Sequence, residues 1–150
     1  MNEIKWVYKS FDELDTKELY RILQVRSAVF VVEQNCPYLD PDDKDMSAYH
    51  LCGWKDDNPV AYARILSPGI AFKEASIGRV LTNPAFRKTG KGRKLMETAI
   101  EKTFDQYKVN MIRIGAQLYL EQFYTSLGFK QASEQYLEDD IPHIEMLLTK

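Results

Sequence analysis

Between Ser76 and Ala116 the hydrophobic period changes twice around a basic, glycine-rich turn, and that order of periods most restricts the folds open to the chain. Residues 76–82 (SIGRVLT) read as a strand that Asn83-Pro84 stops. Leu95, Met96, Ala99, Ile100, Thr103 and Phe104 then form an apolar face at helical spacing, which predicts a helix over 92–107. Residues 111–116 (MIRIGA) are short and apolar, like a buried strand.

The flanks extend this pattern. Ile4, Trp6 and Tyr8 alternate with Lys5 and Val7 as a first strand ending near Ser10. Asp15 followed by Glu18 marks a helix start, and Leu19, Ile22, Leu23, Arg26, Val29 and Phe30 predict a helix over 16–30. Residues 33–47 carry Cys36-Pro37, Asp40-Pro41, Asp42, Asp43 and Asp45, so proline and charge predict a long acidic loop. Residues 49–54 and 60–66 read as a hairpin across the Asp56-Asp57-Asn58-Pro59 turn. Residues 120–127 read as a helix closed by Gly128, and two further strands fit either side of 138–142. The expectation is an α/β fold of mixed α+β character, with a mixed sheet flanked by helices, in one domain over residues 1–150.

Composition narrows the classes. At 150 residues and 45% hydrophobic content the chain needs neither disulfides nor a structural metal to build a core, since a fold of this size buries about 70% of its unfolded surface. Twenty Lys and Arg against 22 Asp and Glu give a net charge of −2, which supplies no global field for nucleic acid. No run approaches the roughly 18 continuous apolar residues of a membrane span. Cys36 and Cys52 lack CxxC spacing and no leader pattern opens the chain, which together predict a reduced, cytoplasmic location.

The segment Arg87, Lys88, Thr89, Gly90, Lys91 and Gly92 lies between a predicted strand and a predicted helix. Backbone N–H groups and a helix N-terminus can converge there on an anion, and three cations reinforce them. No Gly-Lys-Ser/Thr closes it as in a Walker A loop, and the spacing is not G-x-G-x-x-G. Taken alone, the hexapeptide equally reads as a turn with solvated cations.

In order along the chain, R-x-x-G-x-G at 87–92 and Phe123-Tyr124-Thr125-Ser126-Leu127-Gly128-Phe129 resemble the pyrophosphate loop and the F-Y-x-x-x-G-F signature of the GNAT acyltransferase superfamily. The blocks at 26–38, 50–54, 61–66, 77–80 and 141–144 are similar to its ElaA-like branch, so the resemblance covers essentially the whole chain. It implies a mostly antiparallel central sheet splayed between two strands, and acetyl-CoA as cosubstrate. The pyrophosphate would lie on Arg87 to Gly92, and the pantetheine along the backbone of Val80, Leu81 and Thr82, like an added strand. Strand N–H groups would stabilise a tetrahedral oxyanion. Tyr124 matches the family's acid for the departing thiolate, and a phenol with a pKa of about 10 is protonated at neutral pH. Where many members carry Asn, this chain has Gln117, whose amide reaches differently towards the pantetheine; Thr82 replaces a usual apolar residue.

The expected acceptor is a primary amine of a small molecule or peptide. Its ammonium must lose a proton, and Glu33, His50 and His143 are the candidates, Glu33 being favoured at the edge of the acidic loop. Each has a plainer reading: Glu33 as a surface carboxylate or an ion pair with Arg26, the histidines as satisfied core residues. Asp40, Asp42, Asp43 and Asp45 either draw a cationic amine or are simply solvated. Cys36, His50, Cys52 and His143 lack paired ligand spacing, so no metal is expected. Two rivals stay open: a module gripping polyanion phosphates through Arg87, Lys88, Lys91, Arg93 and Lys94, against which the net charge counts, and a CoA-binding protein without turnover. A homodimer is consistent with the resemblance, although nothing in the sequence fixes the oligomeric state.

Overall fold

The computed structural model describes residues 3–87 and 90–150. Eight strands form one sheet: β1 (Lys5–Ser10), β2 (Tyr49–Lys55), β3 (Asn58–Leu66), β4 (Ala75–Thr82), β5 (Met111–Gln117), β6 (Lys130–Gln131), β7 (Tyr136–Glu138) and β8 (Ile141–Thr149). The order is β1-β2-β3-β4-β5-β8-β6, with β7 on the same edge of β8 as β6. Every pairing is antiparallel except β4 with β5. This is the mixed, mostly antiparallel sheet that the sequence implied.

Strand alternation sorts the core onto two faces. Ala61, Ala63, Ile65, Ile112, Ile114, Ala116, Ile144 and Met146 share one cluster with Leu95, Met96 and Ala99 of α2 (Lys91–Tyr107) and with Tyr124 of α3 (Glu121–Ser126). Cys52, Trp54, Tyr62 and Leu81 meet Ile22 and Val25 of α1 (Thr16–Arg26) on the other face.

The Asp15 and Glu18 signal is a capping box: the Asp15 carboxylate accepts from the Glu18 N–H at 2.8 Å, and Glu18 accepts from the Asp15 N–H at 2.9 Å. Its far end departs from expectation. The predicted helix over 16–30 is α-helical only to Arg26 and continues as a π-helix over Ser27–Glu33. There the Gln34 N–H reaches back to the Val29 carbonyl at 3.2 Å and the Cys36 N–H to Val31 at 3.0 Å. Apolar spacing does not separate α from π hydrogen-bond register, so the change leaves no mark in the sequence.

The acidic loop also differs from both readings given to it. Asp40 and Asp45 are buried, not solvated, and with Asp42 they pair with three arginines from different elements. Arg26 of α1 lies 2.8 Å from both Asp40 and Asp45; Arg64 of β3 lies 2.6 Å from Asp42 and 2.8 Å from Asp45; Arg79 of β4 lies 2.8 Å from Asp40. Ion pairs of this kind pin the loop to the sheet. A short 3-10 turn, Asp43–Ser47, completes the loop.

Candidate active site

β4 and β5 pair only at Ala75↔Ile112 and Ser76↔Arg113, then separate. Residues 77–82, with Ile114, Gly115 and Gln117, therefore border a cleft of about 910 Å³ that passes between the strands. β4 is irregular at the same place. Tyr62 pairs with Leu81 and Arg64 with Gly78, so Ala63 alone opposes Arg79 and Val80, and Arg79 takes φ of +48°. Such a bulge removes backbone groups from the ladder next to a site.

Val80, Leu81 and Thr82 line this cleft with Arg87, Gly92, Gln117 and Tyr124. Lys88 and Thr89 lie outside the described residues. Gly90 holds the left-handed φ of +73° that leads into α2, and the Lys91 ammonium donates to the Phe86 carbonyl at 3.5 Å. A Cβ at Gly92 would stand 3.6 Å from Cγ2 of Thr82, so this position faces the cleft wall with room for ordinary contact. The first-turn N–H groups of α2 form an anion-receptive end.

Tyr124 owes its position to how α3 stops. Gly128 takes φ of +101°, its N–H donates to Thr125 at 3.0 Å, and the Phe129 N–H donates to the Tyr124 carbonyl at 3.1 Å. These two bonds define a Schellman motif, with Phe129 as the apolar residue that closes it. The spacing in F-Y-x-x-x-G-F is thus a helix stop that clamps the tyrosine. Phe129 is fully buried, and its ring meets Tyr124 edge-on at 5.9 Å, while Phe123 meets it at 5.2 Å. Burial raises the Tyr124 phenol pKa well above its ordinary value.

Glu33, at the end of the π-helix, also lines the cleft, but its partner is not Arg26. It accepts two hydrogen bonds from Arg87, both 2.7 Å, and Arg87 donates further to the Thr82 carbonyl at 3.2 Å. The Arg87 hydrogen bonds hold the Glu33 carboxyl below the usual carboxylate range. Arg26 is occupied in the aspartate network instead.

His50 does not reach the cleft. Its Nε2 lies 2.9 Å from the Asp45 carbonyl and its Nδ1 2.6 Å from the Tyr62 hydroxyl. A carbonyl only accepts, so Nε2 donates and Nδ1 accepts; both nitrogens are spent, and burial depresses the imidazole pKa. This candidate for acceptor binding is a satisfied core histidine. His143 does line the cleft, with Nδ1 2.7 Å from the Ile141 carbonyl and Nε2 3.5 Å from the Glu138 carboxylate.

Sequence reasoning missed the Arg26, Arg64 and Arg79 network and the roles of Tyr136 and Glu138 beside His143. The arginine contacts join residues 14 to 39 positions apart, and no local signal marks such pairs. Among the described residues no group of three His, Cys, Asp or Glu could hold a metal ion, and no helix is long and apolar enough to cross a membrane.

A sheet parted between two parallel-paired strands, with an anion-receptive helix end on one side, agrees with the splayed sheet that the resemblance to the GNAT superfamily implied. A family model of the acetyltransferase (GNAT) domain matches residues 28–150, and the chain belongs to that family. It is 43% identical to Protein ElaA of Escherichia coli over 145 residues, 95% of each chain. It is 42% identical over 150 residues to a UPF0039 protein of Schizosaccharomyces pombe, 99% of each. The structure superposes on the crystal structure of an acyl-CoA N-acyltransferase from Pseudomonas aeruginosa with a TM-score of 0.93 at 40% identity, covering 97% of this chain and 99% of that one. Escherichia coli ElaA gives 0.91 at 42% identity, with the same coverage.

Proposed function

We propose that the chain is an N-acetyltransferase that carries an acetyl group from acetyl-CoA to a primary amine of a small molecule or peptide. The parting of β4 from β5, with Tyr124 lining the gap, is the observation that carries this reading. A pantetheine arm fits along Val80, Leu81 and Thr82 because the bulge frees backbone there. Arg87 and the backbone from Gly90 to Gly92 suit a pyrophosphate, with Lys88, Thr89 and Lys91 completing the loop. Gln117, at the end of β5, has an amide suited to the pantetheine.

The acceptor nitrogen attacks the thioester carbon, whose carbonyl electrons move to oxygen, and backbone N–H groups of the parted strands stabilise that oxyanion. Collapse re-forms the carbonyl and breaks the carbon–sulfur bond. The thiolate takes its proton from the Tyr124 hydroxyl, and the attacking nitrogen, cationic once the new bond has formed, loses a proton to water, from which the tyrosinate is reprotonated. Free thiols at Cys36 and Cys52 agree with a cytoplasmic setting. A homodimer is compatible with this chemistry, and size-exclusion chromatography with light scattering decides it.

Calorimetric titration with acetyl-CoA tests the reading, comparing wild type with Gly92→Glu, whose carboxylate would face the pyrophosphate. Micromolar binding that the variant loses supports it. Folded wild type that ignores acetyl-CoA yet binds a polyanion in a steeply salt-dependent way sinks it in favour of a phosphate-gripping module.

A further inference from the structure

The two faces of the sheet communicate where β4 and β5 part, and each carries an ionisable group at that place. Ile112, Ile114 and Ala116 of β5 and Ile144 and Met146 of β8 point to the side that holds Tyr124. Strand alternation turns the intervening residues to the opposite side: Arg113, Gly115 and Gln117 of β5, and His143 and Glu145 of β8. The Arg113–Glu145 ion pair at 3.0 Å lies there, and His143 sits cross-strand from Gln117, the last residue of β5.

His143 is 5% exposed, yet it lines the cleft. Its ring stacks on Tyr136 at 5.8 Å, and Tyr136 is seated in turn against Gly115, where an added Cβ would meet its hydroxyl at 3.1 Å. The Ile141 carbonyl, 2.7 Å from Nδ1, can only accept, so the neutral ring carries its proton on Nδ1 and leaves the lone pair on Nε2. Around the ring stand Glu138 and Tyr136 from β7 and Gln117 from β5. Asp139 follows in the turn, with its carbonyl held by the Cys36 thiol of the acidic loop at 3.7 Å.

The geometry points to His143 as the general base for the acceptor amine, a role that rests on the acetyl-transfer reading above. Nε2 takes one proton from the acceptor ammonium, leaving the neutral amine whose lone pair forms the new carbon–nitrogen bond. The imidazolium is stabilised by the Glu138 carboxylate 3.5 Å away and returns its proton to water after product leaves. Acid and base then act from opposite faces of the sheet, so the proton taken from the nucleophile and the proton given to the leaving group do not share one site. The other candidates fail on geometry: Glu33 is held by Arg87, and both nitrogens of His50 are engaged.

Two measurements on the full-length chain test this. The chain has two histidines, so His50→Gln and His143→Gln assign the rings in long-range proton–nitrogen spectra recorded at alkaline pH. An Nδ1–H tautomer at His143 supports the role, and an Nε2–H tautomer overturns it. CoA release is then followed with tyramine, spermidine and an alanyl peptide as amine probes, and with hydroxylamine, which needs no deprotonation at neutral pH. His143→Gln should keep acetyl-CoA affinity within about twofold, lose about 10²–10⁴-fold in kcat with the amines and lose the acidic limb of the kcat/KM profile. Hydroxylamine should retain its rate within about tenfold. Amine turnover by His143→Gln within threefold of wild type at every pH overturns the assignment, as does equal loss with hydroxylamine. Wild type that binds no acetyl-CoA refutes the acetyl-transfer reading instead. If it binds but turns over none of the probes, the tautomer alone decides.

Discussion

Arg87 donates from both terminal guanidinium nitrogens to the two carboxylate oxygens of Glu33, each at 2.7 Å, across 54 residues of chain. The first residue of the R-x-x-G-x-G loop is thus already paired with a carboxylate from the opposite wall of the cleft. A pyrophosphate bound at the loop would compete with Glu33 for that guanidinium. Exposed pairs of this kind contribute about 0.2–1 kcal/mol, so Glu33→Gln should tighten acetyl-CoA binding, by at most about fivefold, while Arg87→Ala weakens it. Calorimetry reads both, and an unchanged or weaker affinity in Glu33→Gln would show that no competition exists.

Removing the Tyr124 hydroxyl should separate binding from chemistry. Tyr124→Phe keeps the ring contacts with Phe123 and Phe129 and so should keep acetyl-CoA affinity, while kcat falls about 10²–10⁴-fold. Because burial raises the phenol pKa, wild-type activity should show no basic limb from this group below about pH 10. Single-turnover kinetics at saturating acetyl-CoA checks both.

Acid should unfold the protein in two stages. His50 is buried with a depressed pKa, burial being the main cause, so its unfolded form binds a proton first and stability starts to fall below about pH 6.5. Burial works to raise the Asp45 carboxyl, but hydrogen bonds from Arg26 and Arg64 prevail and its pKa lies below normal. Its contribution is complete above the unfolded value of about 3.9 and lost as pH drops through the lower, folded one. Asp45→Asn leaves two buried guanidinium groups undercompensated, which should cost about 3–5 kcal/mol at pH 7, and the gap to wild type should narrow below about pH 4. Thermal melts from pH 8 to 3 would show it.

The helix stop behind Tyr124 is open to a similar test. Gly128→Ala places a Cβ at φ of +101° and 3.0 Å from Cδ1 of Leu148, so it should cost about 1–3 kcal/mol of stability. For a chain of this length that is a fall in Tm of several degrees. It should also lower kcat with acetyl-CoA affinity retained, because the clamp on Tyr124 loosens while the loop at α2 is untouched. A variant with wild-type Tm and kcat would remove the Schellman motif from the account.

Much of the frame was legible in local pattern. The strand at 76–82, the helix over 92–107 and the apolar strand at 111–116 correspond to β4, α2 and β5 within a residue or two, because burial on one face or both writes period 2 or 3.6 into the sequence. The capping box at Asp15 and the C′ glycine at 128 were equally visible, since a helix end is satisfied by residues adjacent in the chain. The R-x-x-G-x-G and F-Y-x-x-x-G-F blocks gave the resemblance on which the site was first drawn, and both line the same cleft.

The rest depended on partners far apart in the chain. Four aspartates in six residues looked like a solvated run, but Arg26, Arg64 and Arg79 lie against three of them. His50 and His143 could not be ranked by sequence, for their difference lies in what each nitrogen meets: Asp45 and Tyr62 for one, Ile141 and Glu138 for the other. By itself the sequence determined where β4, α2 and β5 fall, where α1 begins and α3 stops, and which loop can receive an anion, because those outcomes are set by neighbours within a turn or a pleat. Tertiary structure alone decided the parting of β4 from β5, the pairing of Glu33 with Arg87 and the exposure of one imidazole to the cleft, since hydrogen bonds and ion pairs between distant residues exist only once the sheet has brought them together.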